Sequence, residues 1–244
     1  MSRDLIPELS YEKIAAFDSA TLSTLSDALE NHGFFTVTNH GINDSLLDDS
    51  YDLAKKFFNL DNSIKATYSR PEHGGARGYT PFGKETALGE KVPDLKEFWH
   101  HGPKIDHTYD DRIKGNISVK EIDKFSPHFD TLFTSLNNVG MGVLSAIAEV
   151  LNLEKDFFNN WVIKGNSVLR LIHYPPVNDS SNLQRARAHE DINLITLLVG
   201  AEESGLEVLS KDGKWIPIES RSKSIVCNIG DMMQLVTRGR LKST

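Results

Sequence analysis

An imidazole and a carboxylate stand two residues apart at His189 and Asp191, directly before the apolar run 192–199. If this stretch is extended backbone, side chains at i and i+2 leave the same face, so the two groups would converge while Glu190 would turn away. A nitrogen and oxygen donor pair of this kind suits a divalent transition metal. A polar strand end without chemistry would contain the same residue types, so the surrounding motifs have to decide between the two interpretations.

The composition of the 244 residues limits the classes of protein to which the chain can belong. One large domain, or at most two small ones, fits this length. Lysine and arginine total 27 against 34 aspartate and glutamate residues, a formal net charge of −7. This balance, without any basic stripe, argues against nucleic-acid binding.

The N-terminus and the single cysteine, Cys227, indicate the compartment. The first residues carry charges and no apolar signal segment, and no apolar run approaches the ~20 residues of a membrane span. One cysteine excludes an internal disulfide and a cysteine-based zinc cluster. We therefore predict a cytoplasmic protein without membrane contact.

Helical periodicity is strongest in the first two thirds of the chain. Apolar residues at helical spacing predict helices over residues 18–31 and 127–151, a shorter one over 154–161, and another that Asn43 or Asp44 would cap. An aromatic and β-branched strand is predicted over residues 34–38.

The last third has the short period of β-structure. Strands are predicted over 168–174 and 224–228, and a hairpin is predicted from 206–209 and 215–218 around a turn. Short strands at regular spacing suggest an antiparallel sandwich or barrel. The predicted architecture is therefore helices first, followed by a β-core.

Two other stretches contain residues that could serve a site. The glycine-rich residues 70–89 follow no strand and lack a closing Gly-Lys-Ser/Thr, so they are not a phosphate loop. They are interpreted as an ordered loop with Arg77 and Tyr79 as candidate substrate contacts, or as a solvent loop with a structural tyrosine. His100 and His101 end a predicted strand and face opposite sides, so they cannot bind one metal together. We interpret both histidines as surface groups or neighbours of a site.

Eight motifs occur in one order along the chain. They are His32-Gly33-Phe34-Phe35, Asn39-His40-Gly41-Ile42, Arg77-Gly78-Tyr79, Asp94-Leu95-Lys96-Glu97, the stretch from Leu169 to Pro176, His189-x-Asp191, Gly205-Leu206-Glu207-Val208 and Asn228-Ile229-Gly230-Asp231. Each motif alone is short, but the set and its order are specific. With this set the chain resembles the iron(II)- and 2-oxoglutarate-dependent oxygenases of the isopenicillin N synthase-like group, from about Ile6 to its last residue.

The resemblance implies an α+β protein with a mainly β core, a double-stranded β-helix (jelly roll) behind an N-terminal helical region. It implies an N-terminal non-haem dioxygenase-type region over residues 1–120, scaffold helices over 121–162, and an Fe(II)/2-oxoglutarate dioxygenase jelly-roll domain over 163–244. Its closing strands are expected to be missing, because a jelly roll uses about eight.

The resemblance also implies the chemistry. Fe(II), 2-oxoglutarate and O2 would be used to oxidise a C–H bond of a small-molecule substrate, with release of succinate and CO2. His189 and Asp191 would be two of three iron ligands, with no catalytic residue beyond the ligands. Tyr174 would lie near the distal carboxylate of 2-oxoglutarate, and His173 would neighbour the site without binding iron. Gly230-Asp231 would form a structural turn between core strands.

The chain departs from the family pattern in one respect. The family has a second histidine roughly fifty residues or more after the His-x-Asp motif, followed by an Arg-x-Ser pair, whereas no histidine follows His189 here. We therefore expect a C-terminally incomplete chain whose third ligand lies beyond Thr244, unless His100 or a water completes the metal site. Two alternatives stay open: an iron oxidase of the same fold that uses no 2-oxoglutarate, and an inactive jelly-roll remnant. The N-terminal motifs argue against a cupin-like isomerase.

Overall fold

A computed structural model describes residues 6–85, 94–176, 186–200, 205–209, 213–218 and 223–244. Contacts divide the chain into two compact units. The first unit contains Met1–Ile42, Leu136–Asn160 and Glu190–Thr244, and the second contains Asn43–Ser135 and Trp161–His189. Each unit therefore combines segments that are far apart in the sequence.

Helices and strands alternate along the described ranges. In order they are β1 (Glu8–Ser10), α1 (Tyr11–Ala15), α2 (Ser19–Asn31), β2 (Phe34–Thr38), α3 (Asp44–Phe58), α4 (Asn62–Ala66), a 3-10 turn (Pro71–His73), β3 (Gly78–Thr80), β4 (Glu97–His101), α5 (Phe125–Val150), α6 (Asn159–Val162), β5 (Leu169–His173), β6 (Ile195–Val199), β7 (Glu207–Leu209), β8 (Trp215–Pro217), β9 (Ile225–Ile229) and α7 (Asp231–Val236).

The first unit contains a four-stranded sheet in the order β1-β2-β9-β6. Strand β9 pairs antiparallel with both β2 and β6, while β1 runs parallel to β2. All five residues of β9 are buried, including Cys227, because neighbours cover both of its edges and both of its faces. The sheet thus holds the residues that follow β9 against those that precede β6. The β7–β8 hairpin also belongs to this unit.

The second unit is built on the antiparallel sheet β3-β4-β5. The central strand β4 is buried along its whole length. An aromatic cluster covers one face, with the Phe57 ring 4.9 Å from Trp99 and 5.5 Å from Phe125 between ring centroids. Edge-to-face contacts of this kind add to the apolar area that the rings bury, so this cluster is the main core of the unit.

The long periodic elements and the mixed α+β class were predicted correctly. The helix predicted over 18–31 is α2, the one over 127–151 is α5, and Asn43 caps α3 through a hydrogen bond from the Ser45 amide. The strands of the sheets are, however, not confined to the last third of the chain. Strands β1 and β2 from the N-terminal part join β9 in one sheet, and β3 and β4 join β5 in another.

Helix α5 also corrects the prediction about apolar length. By length and composition it could cross a membrane, since its apolar window has a mean hydropathy of 1.2. Half of that window is buried inside the protein, and Phe129, Val143 and Ile147 are inaccessible to solvent. A core helix of a soluble protein has the same properties, so the burial accounts for the apolar length of α5.

Candidate metal and co-substrate site

The segment that carries His189 and Asp191 precedes strand β6 and is not part of it. Residues 187–191 have no regular secondary structure, and β6 begins only at Ile195. The convergence argued from an extended strand therefore does not apply to this segment. The boundary between the two units falls between His189 and Glu190. His189 is therefore described with the second unit and Asp191 with the first.

Asp191 is fixed by the first unit's sheet. Its Oδ2 accepts hydrogen bonds from the Thr196 hydroxyl at 2.5 Å and from the Asn228 side-chain amide at 2.9 Å. Its main-chain carbonyl accepts from the Asp231 amide at 2.8 Å. Thr196 lies on β6 and Asn228 on β9, and these two residues are cross-strand partners. The paired strands thereby set the orientation of the carboxylate, as the outer partners of metal ligands commonly do.

Gly230 is required by the close packing around Asp191. A Cβ at this position would overlap with Oδ1 and the carbonyl oxygen of Asn193, and it would lie 2.7 Å from the Asp191 carbonyl oxygen. The two carbonyl oxygens belong to the backbone and cannot rotate away. The loop would have to move to admit a methyl group, and Asp191 would move with it.

We predict that Gly230→Ala lowers both thermal stability and iron(II) affinity. The expected loss of stability is about 1–3 kcal/mol, the usual cost of overpacking, and the affinity should fall because the carboxylate is displaced. Gly115→Ala is the matched control, since a Cβ there would meet Ile105 at an ordinary 3.6 Å. Thermal unfolding and an iron titration of both variants test this, and equal behaviour of the two would contradict it.

His189 carries a hydrogen bond that suits a metal ligand. Its Nδ1 lies 2.6 Å from the Arg187 carbonyl oxygen. A carbonyl can only accept, so Nδ1 is the donor in this contact, and the lone pair of the neutral tautomer lies on Nε2. A neutral imidazole with its other nitrogen anchored to a carbonyl is the form that binds metals in proteins.

The donor set fits iron in type, with one imidazole and one carboxylate. Within the ranges that the structure describes, no three His, Cys, Asp or Glu side chains form a group that could hold a metal ion. His100 does not supply the third donor, because its Nδ1 lies 2.5 Å from the Gly75 carbonyl oxygen and its Nε2 accepts from Arg170. The assignment of His189 and Asp191 as iron ligands stays a prediction.

Tyr174 follows strand β5 in the second unit and is half-buried. Burial raises the pKa of its phenol. The positive charges of Lys96 and Arg170 lower this pKa, and the negative charges of Asp94 and Glu85 raise it, but burial is the largest cause. The phenol therefore stays protonated at neutral pH and can donate a hydrogen bond to a carboxylate oxygen. This property agrees with the role that the family resemblance implies.

Arg77 and Tyr79, the candidate substrate contacts, lie inside the second unit. The Arg77 guanidinium is buried, donating to the Ala76 carbonyl at 2.6 Å and to Asn166 Oδ1 at 2.8 Å. Tyr79 is equally buried and donates to Glu97 Oε2 at 2.5 Å. Their described partners are protein groups, which gives both side chains a structural task. Their contact with substrate stays a prediction.

The expectation of surface positions for His100 and His101 is wrong. The side chains do face opposite sides of β4, but both are buried. His101 Nε2 lies 2.7 Å from Asp130 Oδ1, and His100 accepts from Arg170 Nε at 2.7 Å. Burial and, second, the positive charge of Arg170 lower the pKa of His100 to about 4, so this imidazole is neutral at physiological pH.

The Gly230-Asp231 pair is also different from its predicted form. Gly230 precedes a helix, and Asp231 is the first residue of α7, so the pair does not simply join two strands.

Burial raises the pKa of Glu190, and a hydrogen bond with the Asp231 carboxyl raises it further. Sequence reasoning missed this carboxyl pair, because 41 residues separate its members and no pattern connects them.

The structure contains a buried charged cluster that the sequence did not reveal. Lys65 Nζ donates to both carboxylate oxygens of Glu97, at 3.1 and 2.8 Å, and to the Phe58 carbonyl at 3.0 Å. Glu97 also accepts from Tyr79 and from His173 Nδ1, the latter at 2.8 Å. Glu97 belongs to a family motif, but Lys65 lies on the short helix α4, which has too few residues for a periodic pattern.

Comparison with known proteins gives matches over most of the chain. A family described as the N-terminal region of non-haem dioxygenase in morphine synthesis matches residues 6–119. The 2OG-Fe(II) oxygenase superfamily matches residues 165–244. A 2-oxoglutarate-dependent dioxygenase of Didymella fabae is 30% identical over 235 residues, which is 89% of this chain and 70% of the relative.

Solved structures agree with these matches. A 2OG-Fe(II) oxygenase family protein of Caulobacter crescentus is 43% identical with a TM-score of 0.88, covering 99% of this chain and 79% of the other. A full-length protein of Neurospora crassa, solved in complex with alpha-KG, is 25% identical with a TM-score of 0.87, covering 100% of this chain and 79% of the other. Both similarities extend through the two units described above.

Proposed function

The chain belongs to the iron(II)- and 2-oxoglutarate-dependent oxygenases, and from this membership we propose that His189 and Asp191 are two of its iron ligands and that Tyr174 contacts the co-substrate. The fold is the jelly roll of this family, and the protein is a dioxygenase that uses Fe(II) and 2-oxoglutarate. The comparisons support this function and not the oxidase without 2-oxoglutarate.

The two hydrogen bonds to the Asp191 carboxylate are the main support for the proposed ligand assignment. Two donors from paired strands hold one oxygen of its carboxylate, although the residue lies in an irregular segment. Such a construction costs conformational entropy and has no evident purpose in a surface loop. It is expected where a ligand must keep one orientation. The Nδ1 contact of His189 with the Arg187 carbonyl fixes the imidazole in the same sense.

The protein's own groups have simple tasks in the proposed site. Bound iron(II) supplies the centre at which 2-oxoglutarate and O2 react to oxidise the substrate. His189 and Asp191 bind the iron, and the phenol of Tyr174 donates a hydrogen bond to a carboxylate oxygen of 2-oxoglutarate. The substrate is a small molecule. The net charge of −7 supports the absence of nucleic-acid binding, and a cytoplasmic location stays a prediction that cell fractionation tests.

The test of the proposed function is an anaerobic titration. Iron(II) and 2-oxoglutarate, added together to the protein, should give a visible metal-to-ligand charge-transfer band. Admission of O2 should then produce succinate in proportion to the 2-oxoglutarate consumed. Iron(II) without 2-oxoglutarate is the control and should give no band. If saturating iron and 2-oxoglutarate give neither the band nor succinate, the proposed site is wrong.

A further inference from the structure

We propose that Arg170 and Lys96 form a binding site for the carboxylate of a small-molecule substrate, and that Glu85 occupies this site until the ligand displaces it. The proposal rests on the proposed function only for the class of ligand, since it concerns residues other than the iron ligands. Its evidence is the geometry around the Arg170 guanidinium, the charges beside it and its position next to Tyr174.

The guanidinium of Arg170 is oriented in advance. Its Nε donates to His100 Nε2 at 2.7 Å, and its plane lies over the Phe98 ring, 4.5 Å from the centroid. These two contacts leave the terminal nitrogens directed at Glu85, with Nη2 3.2 Å from Oε1 and Nη1 3.4 Å from Oε2. Arginine presents a fork of this kind to carboxylates, and orientation before binding lowers the entropy cost.

Lys96 completes the site from the other side. Its Nζ lies 2.7 Å from Glu85 Oε2 and 3.0 Å from Asp94 Oδ2. The Asp94 side chain is only 3% exposed, whereas that of Glu85 is 31% exposed. Asp94 is therefore the permanent partner of Lys96, while Glu85 can leave toward solvent. The Arg170–Glu85 pair is 36% and 31% exposed, so water and salt screen it and weaken it.

The charges favour a single anion. Arg170 and Lys96 contribute two positive charges, Asp94 and Glu85 contribute two negative charges, and His100 is neutral. When Glu85 leaves, one positive charge is uncompensated. A ligand with one carboxylate restores the balance, and the fork of Arg170 matches its two oxygens. A neutral or cationic ligand would leave the site unbalanced.

The proposed carboxylate site adjoins an apolar surface close to Tyr174. Strands β4 and β5 pair so that His100 lies opposite Arg170 and Phe98 opposite Ile172. Alternation places Arg170 and Ile172 on one face of β5. Tyr174 follows the end of this strand, near enough for the charge of Arg170 to act on it. Ile172 is 38% exposed, so an apolar surface adjoins the carboxylate site. This face suits an aromatic or aliphatic carboxylic acid, with 2-oxoglutarate itself as the other source of a carboxylate.

Benzoate is the probe that tests the site, because it carries one carboxylate and no keto group. Glu85→Gln should bind benzoate roughly tenfold more tightly than the unmodified protein, since a site that is closed in most molecules raises the apparent Kd by the inverse of the open fraction. Arg170→Gln in the Glu85→Gln background should remove this gain. Isothermal titration calorimetry without iron measures both, and Glu85→Ala is a second variant in case Glu85→Gln does not fold.

Glu30→Gln is the matched control. Glu30 is also a half-exposed partner of an arginine, Arg240, at 2.9 Å. Among the described residues no lysine pairs with Glu30 as Lys96 does with Glu85, so removal of the Glu30 charge should create no benzoate site. Equal benzoate affinity of Glu85→Gln and the unmodified protein would overturn the proposal. A gain for 2-oxoglutarate but not for benzoate would also overturn it and assign the site to the co-substrate. The benzoate titration uses no iron, so its outcome is independent of the charge-transfer band. Either experiment can fail while the other succeeds.

Discussion

Alanine at Asp191 or at His189 is expected to abolish the charge-transfer band that iron(II) and 2-oxoglutarate form without oxygen. Each substitution removes one of the two side chains that are proposed as iron ligands. A metal bound by one remaining side chain exchanges it readily for water, so the ternary complex does not accumulate. The loss should therefore be complete at iron concentrations that saturate the unmodified protein.

Asn228→Ala gives a graded version of the same result. Asn228 does not bind the metal but donates to Asp191 Oδ2 at 2.9 Å, and the Thr196 hydroxyl remains as a second donor. Loss of such an outer partner typically lowers metal affinity by about 10–100-fold. The band should thus survive in Asn228→Ala but require more iron, and its maximum at saturation should be unchanged.

Glu190→Gln is the matched control for this series. The residue lies between the two ligands, carries the same functional group as Asp191, and hydrogen-bonds to Asp231. Its amide should leave the band and the iron affinity close to those of the unmodified protein. A full band in Asp191→Ala, or its loss in Glu190→Gln, would show that the metal is held by a different carboxylate.

The sequence indicates the candidate site through the order of its motifs and not through local geometry. The extended-strand argument for His189 and Asp191 failed, because β6 begins four residues after Asp191 at Ile195. Residues before a strand take their conformation from the groups that hold them, here Thr196 and Asn228. Asn228 is 37 positions away from Asp191, so no local pattern could have indicated it.

The fold was predictable where one element carries its own pattern. Helices α2 and α5 are long enough for apolar residues to repeat along one face, and their bounds agree with the prediction to within two residues. Strand β3 has only three residues and exists because it pairs with β4. Similarly, the burial of His101 depends on Asp130, which lies 29 positions further along the chain. Pairings of this range are absent from any local window.

The largest effect on stability is expected at Lys65, whose ammonium group holds the buried carboxylate of Glu97. The two side chains are 5% and 6% exposed and 2.8 Å apart. Burial alone would raise the pKa of Glu97, but the hydrogen bonds from Lys65, Tyr79 and His173 outweigh it and keep the pKa below its usual value. The carboxylate is therefore charged at neutral pH and depends on its donors.

Lys65→Met should lower the free energy of unfolding by about 3–5 kcal/mol, the usual effect of leaving one partner of a buried ion pair uncompensated. Adding Glu97→Gln should recover part of this loss, because no charge is then left in the core. Arg240→Met, which breaks a half-exposed pair with Glu30, should cost less than about 1 kcal/mol. Urea denaturation of the four proteins measures these differences.

The loss of stability in Lys65→Met should depend on pH in a defined direction. In the unmodified protein the lowered pKa of Glu97 contributes stability above the pKa of the unfolded chain, and this is lost as the pH falls through the folded value. In Lys65→Met the carboxylate has lost its cation, so protonation relieves the uncompensated charge. The stability difference between the two proteins should therefore narrow as the pH falls. A difference that stays constant down to the acid transition would mean that Lys65 acts through packing and not through its charge.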